Sequence, residues 1–304
     1  MRGYIRRFLG VVLVLLGVMV LIFIVLRIIP GNPVAVLLND HVNKETIERL
    51  TASMNLDKSM PEQFFLYLSG AIRGDLGESY FMKRPVLTLV LDVFPNTIKL
   101  TVLAASFAWI FGIVTGVISA MHHDRLPDYL FRGLSLLGVS VPVFMVALFL
   151  QYLFYFKFSL LPLSYDGSFV SLILPAISLG WNSAGSVARL TRSSLMEQFG
   201  QPYLDTARAK GISARKALLT HGLKNAMVPV ITMLAMQLSG MLSGAVITES
   251  IFGISGLGKL ALTAVQTRDM PLLQGTVLFS ALVISVGNIV ADIINVCIDP
   301  RLRV

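Results

Sequence analysis

The stretch Gly253-Ile254-Ser255-Gly256-Leu257-Gly258-Lys259 fits the G-x-x-x-x-G-K spacing in which peptide N–H groups cradle phosphates and a lysine reaches the terminal ones. Leu260 follows, where such a loop needs Ser or Thr to hold magnesium. An apolar run precedes the glycines, where that chemistry needs a strand. The stretch therefore reads as a glycine-permitted turn between helices, and the chain is expected not to be an ATPase itself. His41, His122, His123 and His221 show neither H-E-x-x-H spacing nor cysteine partners for zinc. His122-His123-Asp124 reads as a solvated turn. No serine stands in a G-x-S-x-G elbow, and no paired carboxylates lie within a span for general acid and base work. The sequence therefore assigns no catalytic residue, no metal ligand and no enzyme activity.

The elements around these residues explain why. Of 304 residues, 55% are hydrophobic and only 14% charged, where soluble domains average roughly 45–50% and about 25%. Mean hydropathy is +0.76, which points to lipid as the solvent. The +8 net charge is spread between apolar runs with no dense polybasic tract, which argues against nucleic acid. A single cysteine, Cys297, excludes an intrachain disulfide.

Five charge-free runs are long enough to cross a bilayer: Phe8 to Leu26, Leu100 to Met121, Gly133 to Phe156, Ala226 to Thr248 and Met270 to Ala291. A sixth, Phe169 to Ala188, is interrupted by Pro175, Gly180 and Gly185. The expectation is an all-α polytopic membrane protein with six transmembrane helices. The first run exceeds the usual signal-peptide core and has no small-residue cleavage site after it, so it reads as an uncleaved span. Arg27 is placed to snorkel at its end, and Pro30-Gly31-Asn32-Pro33 to stop it.

With the N-terminus inside, arginines and lysines crowd the inner segments, whereas the short outer loops hold Lys157, Lys259 and Arg268. That asymmetry satisfies the positive-inside rule and predicts both termini in the cytoplasm. The long segment from Pro30 to Asn96 is then outside. Asn43 can cap a helix carrying Ile47, Leu50 and Met54, and Pro61 can open another carrying Phe64, Phe65, Leu68 and Ile72. Short helices are expected to pack on the outer membrane face.

The spans carry no ionisable residue in their middles, Glu249 and Asp292 lying near ends, which demotes proton-coupled transport. They carry small residues instead. Gly112-x-x-x-Gly116 reads as helix packing. Met236, Ser239, Gly240, Ser243 and Gly244 on the fifth span form a candidate set for a pathway or for packing.

The stretch between the fourth and fifth spans is more specific. Gly200-Gln201-Pro202 breaks a helix, and Tyr203-Leu204-Asp205-Thr206-Ala207-Arg208-Ala209-Lys210 forms about two turns ending at Gly211. Ser213 can cap a further short helix, which Gly222 is expected to end, with Asn225 capping the fifth span. A rigid element of this kind suits docking into another protein's groove.

Tyr203 to Gly211, with Ala214-Arg215-Lys216 and His221 to Pro229, resembles the E-A-A-x-x-x-G coupling motif of inner-membrane permeases in binding-protein-dependent ABC importers, specifically the peptide and nickel family. Asp205 and Thr206 replace the first two letters. Glu249-Ser250-Ile251-Phe252, Gly256-Leu257-Gly258 and Arg268-Asp269-Met270-Pro271 resemble that family's last outer loop, with Ser255 in place of a frequent proline. Arg27 to Pro33 resembles the R-x-x-P-G-D-P signature of the first-named, B-type permease, with Asn32 for aspartate. Gly74 to Ser79, Arg84-Pro85-Val86 and Asp299-Pro300-Arg301 continue the likeness over nearly the whole chain.

The resemblance implies the type I importer permease fold. It divides the chain into residues 1–96, the first span with a helical extracytoplasmic segment; 97–298, the permease domain with its coupling loop at 189–225; and 299–304, a cytoplasmic tail. It implies a second, C-type permease, two cytoplasmic ATP-binding subunits that carry ATP and magnesium, an extracytoplasmic solute-binding protein, and no cofactor on this chain. Tyr203 to Gly211 would be the ATPase-coupling residues. His123 to Asp128, Gly138 to Pro142 and the short loop after Lys157 look slightly closer to nickel-type than to dipeptide members. With no side-chain cluster to strip a hydrated ion, nickel would pass as a chelate. A stand-alone channel is the alternative.

Overall fold

The structure, a computed structural model, describes residues 2–28, 51 and 57–298. The expected Asn43 helix, the Pro30 to Pro33 stop, His41 and the Asp299-Pro300-Arg301 ending lie outside the described residues. Among the described residues the regular elements are all helices, joined by turns and loops, and Glu78 with Pro85 makes an isolated β-bridge. They fall into two compact units, one within Met1–Thr97 and Ser255–Ser285, the other within Ile98–Ile254 and Val286–Val304.

In the first unit, α1 (Arg2–Ile28) is followed by α2 (Met60–Ile72) and by the first turns of α3 (Val86–Met121). Pro61 stands in the first turn of α2, and the Glu62 carboxylate accepts the N–H and hydroxyl of Ser59 at 3.1 and 2.9 Å. That settles the helix start, because the first N–H groups of a helix lack partners of their own. Leu76, Val86, Leu89 and Val90 pack on Leu257, Leu260 and Ala264 of α11 (Leu257–Gln266) and on Leu272 of α12 (Met270–Ile298). Asp269 precedes α12. Its Oδ1 accepts Leu272 N–H at 3.2 Å, and its Oδ2 accepts Ser79 hydroxyl at 2.6 Å and Phe81 N–H at 3.0 Å. One carboxylate thus caps a helix and pins the loop before α3.

The second unit is built round α6 (Ile173–Gln198), flanked by α3, α4 (Leu126–Ser140), α5 (Val143–Gln151, continued as a π-turn Tyr152–Lys157) and α9 (Leu223–Leu242). Small residues let these axes approach. A Cβ on Gly112 would stand 2.7 Å from Val187 Cβ, and one on Gly116 would stand 2.6 Å from the Ala188 carbonyl oxygen. Gly180 meets Ala104, and Gly185 meets Ser135 and Gly138, in the same way. The packing reading of Gly112-x-x-x-Gly116 therefore describes the structure.

Among the described residues, five helices are long and apolar enough to cross a membrane, and a sixth span results if α4 and α5 count as one. The six-span expectation holds with four corrections. The third span is bent by 106° between Ser140 and Val143, where Pro142 removes a donor; Asn182 Nδ2 donates to the Val139 carbonyl there, at 3.2 Å. The fourth is one unbroken helix: Pro175 sits in its first turn and its glycines are packing contacts, not interruptions. The fifth ends at Leu242; Gly244 (φ +112°) turns the chain into a separate short helix, α10 (Val246–Ile251), so the run to Thr248 is not one helix. Finally, Gly222 does not stop a helix, nor does Asn225 start one, because α8 (Ala214–Ala217) passes through a π-turn, Leu218–Gly222, directly into α9.

Candidate functional site

The candidate coupling segment begins where α6 ends. Gln201 is extended (φ −84°, ψ 134°), and Pro202 opens α7 (Pro202–Ala209). Proline suits that position, since its missing N–H would have no helical partner and its φ is already helical. At the other end Gly211 takes φ +85°. Ile212 N–H donates to Ala207 carbonyl at 3.2 Å and Gly211 N–H to Arg208 carbonyl at 2.9 Å, the pair of reversed bonds that closes a Schellman motif.

One face of α7 is clamped to its own chain. Leu204 and Ala207 are buried with Ala120, Leu195, Ala217, Leu218 and Ala226, and Tyr203 and Ile212 pack at the edge of this cluster. Tyr203 hydroxyl donates to Gln198 Oε1 at 2.7 Å. The other face is open: Asp205, Thr206, Arg208, Ala209, Lys210 and Gly211 are exposed, as are Arg215 and Lys216 beyond. Arg208 reaches Asp205 at only 3.4 Å with both side chains solvated, a contact of little energetic weight. The segment therefore offers a short, braced helix with a mainly cationic outer edge.

The second candidate set divides. Met236 is 57% exposed, Gly240 has nothing within 4 Å of a built Cβ, and Ser243 lies one turn further along the same face. Ser239 is turned away: it is buried, its hydroxyl donates to Ala235 carbonyl at 3.1 Å, and it fills the space above Gly287. Gly244 belongs to the break after α9, where Ser243 hydroxyl donates to Gly240 carbonyl at 2.7 Å.

The apparent phosphate loop is a turn. The N–H groups of Gly253, Ile254 and Leu257 donate to Ser250 carbonyl, Glu249 carbonyl and Thr97 hydroxyl, so three donors of the stretch are already taken by the chain itself. His123, Asp124 and Asp128 do come together, with ligand atoms within 4.8 Å. They do not fit a metal, because the Asp128 carboxylate is already taken. Arg192 Nε and Nη2 donate to it at 2.7 and 2.8 Å, Ser119 hydroxyl donates at 2.5 Å and Asp124 N–H at 3.1 Å.

This ion pair is the feature that sequence reasoning missed. Asp128 is wholly buried in the first turn of α4 and ties it to α3 through Ser119 and to α6 through Arg192. Its only local signal was an acidic residue after Pro127, which any helix start would carry. Arg192 lies in α6 six residues before its end at Gln198, so the pair ties down a helix from which the candidate coupling segment departs.

Two family descriptions match the chain: "binding-protein-dependent transport system inner membrane component" over residues 112–304, and the N-terminal part of such membrane components over residues 1–101. The glutathione transport system permease protein of Escherichia coli (strain K12) is 35% identical over 299 residues, 98% of this chain and 98% of that one. The protein of the same name from Pectobacterium atrosepticum is 35% identical over 300 residues, 99% of this chain and 98% of the other. Among solved structures, an inward-facing form of the MetNI methionine ABC transporter aligns with a TM-score of 0.57 at 13% identity, covering 70% of this chain and 97% of that one. At that identity the likeness is one of fold.

Proposed function

The chain belongs to the inner-membrane components of binding-protein-dependent transport systems, as a permease of the peptide and nickel family of ABC importers, and we propose that it is the B-type permease forming half of the pathway for a small peptide-like solute. The substrate class rests on the relatives, which are named for glutathione transport. Nickel is the weaker choice, since the His123, Asp124 and Asp128 group spends its central carboxylate on Arg192. A free channel is disfavoured by family membership.

The working assembly in this reading adds a C-type permease, two ATP-binding subunits and an extracytoplasmic binding protein. This chain binds no ATP or magnesium; those act on the partner subunits. The N- and C-termini and α7 face the cytoplasm, and residues 1–96, 97–298 and 299–304 serve as anchor segment, permease domain and tail.

The observation that carries the coupling role is the braced geometry of α7. Leu204 and Ala207 lock it to α3, α6 and the rod that becomes α9. A push on its exposed edge is thus delivered to three spans as rigid-body motion. ATP that binds the closed ATPase pair better than the open pair would then bias the permease between its two facing states.

The test replaces Gly211 by valine. A β-branched residue at φ +85° is strained, so α7 loses its C-terminal closure while the spans stay intact. The expected result is normal membrane insertion with loss of ATPase co-purification and of glutathione uptake. Full uptake with bound ATPase would remove α7 from the coupling role. Uptake of nickel in place of glutathione by the wild-type assembly would overturn the substrate reading.

A further inference from the structure

Helix α2 packs against α1 near the end of a transmembrane span. Phe64 sets its edge on the Phe23 ring, with centroids 5.3 Å apart at 76°. Arg27 lies 3.5 Å over the same Phe23 ring and donates through Nε and Nη2 to Gln63 Oε1 at 3.1 and 2.5 Å. Phe23 lies within the apolar stretch Leu9–Ile28, five residues before Ile28, so this contact sits about 7–8 Å inside the last described residue of the stretch at 1.5 Å rise per residue. A helix held at that level lies beside the outermost layer of the bilayer and not above it.

Its free face has the matching chemistry. Met60, Phe65, Leu66 and Ile72 are 61%, 66%, 45% and 78% exposed, while Glu62 and Arg73 place the charges near the two ends. Phe65 and Ile72 stand two turns apart on one helix side, with Leu66 about 100° round from Phe65. Side chains of this size held in water beside a lipid-solvated span would be costly, whereas an interfacial helix buries them about 5–10 Å into the boundary of headgroups and acyl chains. Ile24, Val25 and Ile28 of α1 are exposed as well, so the span and α2 both present apolar side chains left uncovered by the described residues.

We propose that α2 is an interfacial membrane anchor, lying on lipid through Phe65, Leu66 and Ile72 and fastened to the first span by the Phe23–Phe64 and Arg27–Gln63 contacts. It would hold the segment that follows at a fixed height above the bilayer, whatever partner subunits are present. This inference rests on the spans themselves and stands apart from the substrate and coupling readings.

Spin-label accessibility tests it in the full-length chain, reconstituted in lipid nanodiscs with and without the second permease. In a Cys297→Ser background, nitroxides are placed singly at Phe65→Cys, Ile72→Cys, Asp57→Cys and the lipid-facing reference Leu21→Cys. Labels at 65 and 72 are expected to relax several-fold more with dissolved oxygen than with a water-soluble nickel chelate, like the label at 21, with the reverse at 57. Greater relaxation by the chelate at 65 and 72 would place the face in water and overturn the proposal. Loss of oxygen access at 65 and 72 on adding the second permease would overturn it too, by assigning the face to protein.

Discussion

Arg192 and Asp128 stand 64 residues apart in sequence and meet through two hydrogen bonds of 2.7 and 2.8 Å, the aspartate wholly buried and the arginine side chain 20% exposed. Removing one partner of such a pair leaves an uncompensated buried charge. Arg192→Leu is therefore expected to destabilise the protein by about 3–5 kcal/mol, read as the drop in unfolding free energy in detergent. Asp128→Asn combined with Arg192→Met should recover most of that loss. A double variant no more stable than Arg192→Leu alone would show that the pair holds the helices by more than its charge balance.

Two glycines on different spans should behave oppositely. Gly116→Val drives a Cβ to 2.6 Å from a backbone oxygen of α6, and overpacking of that kind costs about 1–3 kcal/mol. Gly240→Ala meets nothing within 4 Å and should leave the thermal stability of the isolated chain unchanged. If Gly240 faces the pathway or the second permease, uptake by that variant falls while stability does not. A fall in both would place Gly240 in the packing of its own chain.

How much of this was legible in sequence depended on how local the cause was. The ends of α7 were legible because Pro202 and Gly211 act through their own φ angles. Gly222 misled for the same reason: a glycine reads as a stop, yet here it is buried in a π-turn where a Cβ would press on Leu218. The bend before Val143 had its proline in view, but its size depends on the neighbours of α4 and α5, Asn182 among them. Asp128 and Arg192 could not be paired at all, since nothing in either local sequence names a partner two helices away.

Asp269 offers a compact test of the first unit. Ser79→Ala removes the 2.6 Å hydrogen bond and leaves a buried carboxylate with its two N–H donors, Phe81 and Leu272. The expected loss is about 1.5–3 kcal/mol, the range for a hydrogen bond to a charged group. Amide exchange should quicken in the Ser79 to Met82 turn. Unchanged exchange there would mean that the β-bridge and the local core hold the turn without the carboxylate.

Acid should loosen the start of α2. The Ser59 hydroxyl and N–H both donate to the Glu62 carboxylate and hold its pKa below the ordinary glutamate value. A carboxyl whose folded pKa is depressed contributes stability that is present above its unfolded pKa of about 4.3 and is lost as pH falls through the lower folded value. Amide exchange over residues 59–63 is expected to quicken on that descent, and Glu62→Gln should abolish the pH dependence. An identical acid response in Glu62→Gln would assign it to another group.

The π-turn at Leu218–Gly222 has a consequence for how this segment tolerates insertions and deletions. Such a turn is one residue longer than the α-helical turn it replaces, and it sits between Arg215 and Lys216 on one side and the membrane rod on the other. Deleting a single residue there would restore an ordinary helix and rotate the two cations by about 100° around the axis, without breaking the rod. The turn is a phase adjuster, at which α8 and α9 can be re-timed against each other by a one-codon change.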